Sequence, residues 1–119
     1  MRILCLMALA VASFAQAPEA PTHFLIEFEL APGVDITHLS QPQRATFQQH
    51  GAQLMKLRDE GVVVLGGHTD NVQHMRAILI VKAKDTASAR AVAEADAAVK
   101  AGLLKLSVVE SFTLAVPPR

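Results

Sequence analysis

The sequence predicts an α+β fold. It is a ferredoxin-like βαββαβ chain, with a four-stranded antiparallel sheet and two helices on one face. Three observations carry this. Four stretches pattern as strands: "THFLIEFEL", "VVVLGGHT", "HMRAILIVKA" and "LLKLSVVESFTLAV". Two helical stretches with capping residues separate the first strand from the second and the third from the fourth. Finally, the middle strands are apolar on both faces, so the sheet side away from the helices also needs a cover.

The first strand, Thr22 to Leu30, alternates: Phe24, Ile26, Phe28 and Leu30 on one face, His23, Leu25, Glu27 and Glu29 on the other. After a loop, Ser40 with Gln43 three residues on has the form of a capping box, and Pro42 is tolerated in the first turn. A helix is expected from Gln41 to Glu60, ended by Gly61 as a C′ residue. A β-branched run, Val62 to Thr69, makes the second strand. Asp70-Asn71 has turn chemistry, and His74 to Ala83 returns as the third strand of a hairpin. Asp85 or Thr86 caps a second helix. Its small stripe of Ala89, Val92 and Ala93 lets it lie close to the sheet, while Arg90 and Glu94 face water. Asp96 can cap a further short turn that Gly102 ends, and the last strand runs to Val116 before the tail 117–119.

The hairpin strands offer Val62, Val64, Leu79 and Val81 on one parity, or Val63, Leu65, Ile78 and Ile80 on the other. Either set exposed would leave a large apolar patch, so a homodimer through the sheet face is expected. Glu27 and Glu29 would keep part of that interface wet.

Not all of the chain is expected in the mature protein. "MRILCLMALAVASF" has one early positive charge and a short apolar run that turns small; "AQAPEAPT" follows without pattern. This reads as a signal peptide, residues 1–15, and a linker, residues 16–21, ahead of one domain at 22–116. The apolar run is shorter than the ~20 residues a spanning helix needs. The expected protein is therefore exported, to the periplasm or beyond, with no membrane association after cleavage. The single cysteine, Cys5, would leave with the signal, which excludes disulfides, thiol catalysis and cysteine metal sites. Losing Arg2 leaves ten basic and eleven acidic residues. With no basic patch, tyrosine or tryptophan, nucleic acid is not an expected partner.

One polar residue interrupts an apolar stripe. In "TFQQHGAQLMKL" the stripe of Phe47, Leu54 and Leu57 passes through His50. A buried imidazole must satisfy its ring nitrogens. A carboxylate on one nitrogen fixes the tautomer and leaves the other for general acid–base work. The alternative is a packing histidine bonded to a backbone carbonyl. The topology brings the start of the first helix, the hairpin turn and the end of the second helix to one end of the domain. Asp70 and Asp96 are therefore both candidate partners, although Asp96 is equally a helix cap. Arg76, beside the hairpin, is a candidate fork for a substrate carboxylate, with His68 near it. His68, Asp70 and His74 surround one hairpin without a metal-site motif. No metal or cofactor is expected, and His23 and His38 read as surface residues.

From Thr22 to Val116 the chain resembles the YCII-related family of the dimeric α/β-barrel superfamily. The matching features are Pro32-Gly33 after the first strand, His50 followed by "LMKLRDEG", and "VVVLGG" with Asp70 beyond. They continue with "AILIVKAKDTASARAVAEAD" and "DAAVKAG" before the last strand. Gly67-His68 stands where the family usually has Gly-Pro, and Asp96-Ala97 where it commonly has Asp-Pro. The resemblance implies a catalytic pair of His50 with Asp96 or Asp70. It also implies a small-molecule lyase or isomerase acting by proton transfer near a carbonyl. The competing class is a non-catalytic binding or interaction module on the same homodimeric scaffold. A solvent-reached cavity at His50 would favour the enzyme.

Overall fold

The computed structural model describes residues 22–119. The expected signal peptide and linker lie outside these described residues. The elements are β1 His23–Leu30, α1 Gln41–Asp59, β2 Val63–His68, β3 Arg76–Lys82, α2 Thr86–Glu94, α3 Ala97–Lys100 and β4 Leu104–Ser111. The four strands form one antiparallel sheet in the order β2-β3-β1-β4, the ferredoxin-like arrangement. Among the described residues no helix is long and apolar enough to cross a membrane.

Local chemistry sets the element ends. At the start of α1, Ser40 and Gln43 form the reciprocal capping box, Gln43 N–H donating to Ser40 Oγ at 3.3 Å and Ser40 N–H to Gln43 Oε1 at 2.9 Å. α1 ends in a Schellman pair: Gly61 N–H donates to Arg58 O and Val62 N–H to Leu57 O. This requires the left-handed backbone that Gly61 adopts at φ 77°. Asp85, not Thr86, caps α2 by accepting from Ser88 N–H.

The core lies between the sheet and the helices. Phe24, Ile26 and Phe28 of β1 meet Leu79 and Val81 of β3, with Ala89 and Ala93 of α2 above them. Ala89 and Ala93 are fully buried and Val92 half-buried, while Arg90 and Glu94 face water with their charged groups 4.0 Å apart. α2 packs on β1 and β4, whereas α1 packs on β2 and α3. No residue of α1 is fully buried; Phe47, Leu54 and Leu57 are half-buried against the core.

Two irregularities decide which side chains face where. A register shift at Val64 puts Val63 opposite Val81 on the helix side and Leu65 opposite Ile80 on the open side. Neither simple parity expected for the hairpin holds, because the extra residue switches face midway. A second shift, between Glu27 and Phe28 in the β1–β4 pairing, leaves Ser107 between the registers, donating its hydroxyl to Glu27 O at 3.0 Å. The open face carries Leu25, Leu65, Ile78, Ile80 and Val108 around Glu27 and Arg76. β3 starts at Arg76 rather than His74. β4 stops at Ser111 rather than Val116, since β1 starts at His23 and leaves nothing beyond Phe112 N–H to pair with.

Candidate functional site

α1 carries His50 over the sheet, and the junction of α2 and α3 brings Asp96 to meet it. His50 Nδ1 lies 2.6 Å from Asp96 Oδ2, and the two side chains are 15% and 5% exposed. A carboxylate only accepts, so Nδ1 carries the proton and Nε2 is the nitrogen free to exchange one. Two phenylalanines hold the ring edge-on. The Phe28 centroid is 6.5 Å away at 87° between planes, and the Phe47 centroid 6.3 Å away at 88°. These contacts orient the imidazole without competing for its nitrogens.

Asp96 has two tasks, one for each oxygen. Oδ1 accepts from Ala98 N–H at 2.8 Å and Val99 N–H at 3.4 Å, capping α3. Oδ2 faces His50. Burial alone pushes the carboxyl up. The His50 hydrogen bond and charge, with the two amides, outweigh burial and hold it below its ordinary value. The carboxylate is therefore ionised at neutral pH and stabilises an imidazolium beside it.

A groove of about 420 Å³ opens between α1 and α2, walled by Leu54, Leu57, Leu79 and Val92. Phe28 and Asp96 line it as well, and both touch His50, which does not itself line the groove. Lys56 and Glu60 stand on the α1 side with their charged groups 3.8 Å apart.

The other residues singled out from the sequence lie apart from this pair. Asp70 is exposed on the hairpin turn, and Asp96, not Asp70, is the partner of His50. Arg76 lies opposite Glu29 with its guanidinium 3.6 Å from Glu27, on the open side of the sheet, whereas His50 sits on the helix side over Phe28. One sheet face separates the two. His68 pairs with Ala77 at the sheet end and is exposed, its Nδ1 3.2 Å from Thr69 O. The expectation that Asp70 and Arg76 gather around His50 is therefore corrected: Asp70 stays on the turn and Arg76 on the opposite sheet face, whereas the register puts His68 on the His50 side, at the exposed end of the edge strand. His38 is exposed as expected. His23 is half-buried, its Nε2 enclosed without a hydrogen-bond partner among the described residues. Among the described residues, no three His, Cys, Asp or Glu side chains converge as a metal site would require. Sequence reasoning missed Gln53, whose Oε1 accepts from Ala97 N–H at 2.9 Å. Its spacing was the available signal, since a residue three after His50 shares its helix face.

The profile of the YCII-related domain matches residues 24–113. The chain belongs to the YCII-related family. No curated protein sequence matches it. Among solved structures, it is similar to 5-chloro-2-hydroxyhydroquinone dehydrochlorinase from Burkholderia phenoliruptrix, determined in complex with 2,5-dihydroxybenzoquinone. The two share 23% identity over 76% of this chain and 93% of the other, with a TM-score of 0.53. At that identity the likeness establishes the shared fold.

Proposed function

We propose that this YCII-related protein is a small-molecule lyase that moves a proton with His50. The observation that carries the proposal is the 2.6 Å Nδ1–Oδ2 contact between His50 and Asp96, with Asp96 lining an apolar groove beside the imidazole. The dehydrochlorinase activity of the structural neighbour supports the same reaction class. Asp96 fixes the tautomer through Nδ1 and stabilises the positive ring. Nε2 takes a proton from a substrate hydroxyl or from carbon beside a carbonyl. The released electron pair forms the new double bond, and the leaving group departs with the bonding pair. The imidazolium then returns its proton to water. The groove walls favour a flat, largely apolar substrate, with Gln53 and Lys56 as polar contacts at its sides.

Chloride release from 5-chloro-2-hydroxyhydroquinone and related halogenated hydroxyquinols, by wild type and by His50→Gln, tests this. Wild type should release chloride, and the variant should lose a factor of about 10²–10⁴. Equal turnover by the two proteins would remove His50 from the reaction.

The open sheet face supports a homodimer. Leu25, Leu65, Ile78 and Val108 form a partly exposed apolar surface that a second copy would cover, enclosing Glu27 and Arg76, while Ile80 on the same side is already buried within the chain. In that assembly Arg76 belongs to the subunit interface rather than to the His50 site. The pattern of Met1 to Phe14 supports export of the mature domain.

A further inference from the structure

We infer that Gln53 is a positioning residue, clamping the start of α3 so that Asp96 stays aligned on His50. α3 is one turn long, Ala97–Lys100, and its first amides have no partners inside the helix. Asp96 Oδ1 takes the amides of Ala98 and Val99. The Ala97 amide remains, and Gln53 Oε1, reaching across from α1, accepts it at 2.9 Å. His50 and Gln53 are three residues apart on one face of α1, and they hold the adjacent residues Asp96 and Ala97. Two hydrogen bonds thus fasten α1 to the start of α3 at consecutive positions. The Asp96 N–H donates to Ala93 O at 3.2 Å, which ties the aspartate to the end of α2. Gln53 adds an anchor on the other side of the residue, from α1, and this keeps Oδ2 in line with Nδ1.

Gln53's consequence for turnover rests on the proton-transfer reading above, so the test reads the clamp without a substrate. Carbon-13 NMR follows the Asp96 carboxyl against pH, and amide hydrogen exchange follows Ala97. In Gln53→Met, which keeps side-chain length and loses the acceptor, Ala97 exchange should speed up roughly three- to tenfold, the loss of one ordinary hydrogen bond. The Asp96 midpoint should rise toward its ordinary value as the His50 contact loosens. Asp35, held at about 2 by Thr37 and His38, and Asp85, held low by Ser88, should not move. Gln53→Glu retains an acceptor oxygen and should restore Ala97 protection.

Proline at the first position of a helix needs no acceptor, and the extended backbone of Asp96, at φ −65° and ψ 134°, suits a following proline. In an Ala97→Pro background, Gln53→Met should therefore leave Asp96 unchanged. An unmoved Asp96 midpoint in Gln53→Met alone would overturn the clamp. So would an equal shift with and without the proline, because Gln53 would then act by another route. Neither result depends on whether the protein turns over a substrate.

Discussion

At the scale of single residues, Asp96 is both a cap and a charge, and the two roles separate by substitution. Asp96→Asn keeps an acceptor for the Ala98 and Val99 amides but loses the negative charge beside His50. It should still fold at neutral pH, but with a lower unfolding midpoint than wild type, and lose most of the proposed activity, as thermal unfolding and chloride release would show. Asp96→Ala loses the cap as well, and should unfold more easily by about 1 kcal/mol in urea for the cap alone. The pH dependence follows from the same group. The folded carboxyl lies below its ordinary value, so the unfolded state binds the proton first. Asp96 therefore contributes stability that is full above the unfolded value and fades as pH falls through the folded one. The stability difference between wild type and Asp96→Asn should shrink as urea midpoints are taken from neutral to acid pH. A gap that widened toward acid would contradict the sign.

At the scale of elements, the helix ends were the most legible part of the sequence. Ser40 with Gln43, and Gly61 and Gly102 at the stops, are local chemistry that any fold would use in the same way. Ser40→Ala should cost about 1 kcal/mol in urea unfolding without changing the His50–Asp96 contact. The strand faces were less legible. A bulge adds one residue without marking itself in composition, and the one at Val64 moved Leu65 to the open side. His50 stood out because it broke an apolar stripe. Its partner did not, because Asp70 and Asp96 look alike until the chain is folded. The groove was invisible in the sequence. It depends on how far α1 stands from α2, and small residues such as Ala91 and Ala93 set that distance without announcing a cavity.

At the scale of the whole molecule, one face of the sheet is covered by helices, and the other carries Leu25, Leu65, Ile78 and Val108 at least partly exposed. Leu65 is 47% exposed on that open face, the most exposed leucine of the sheet, and it is remote from the caps and the core. Leu65→Lys should convert the proposed dimer to a folded monomer in sedimentation velocity, since two lysines would have to be desolvated in a face-to-face pair. A wild-type chain that sediments as a monomer at high concentration would leave the open face unexplained by self-pairing. The proposed dimer surface and the proton-transfer site lie on opposite sides of the sheet, the groove and the dyad being on the helix side. A monomeric Leu65→Lys protein should therefore keep its His50–Asp96 contact.

The tautomer of His50, read from its ring nitrogens in long-range proton–nitrogen NMR spectra, decides whether Asp96 leaves Nε2 free for proton transfer. Free neutral histidine favours the proton on Nε2. If Asp96 holds Nδ1–H and leaves Nε2 for chemistry, neutral His50 will carry its proton on Nδ1 in wild type, and Asp96→Asn will weaken that preference. A neutral His50 protonated on Nε2 in the wild-type protein would contradict the account, because the nitrogen assigned to the substrate would already be occupied.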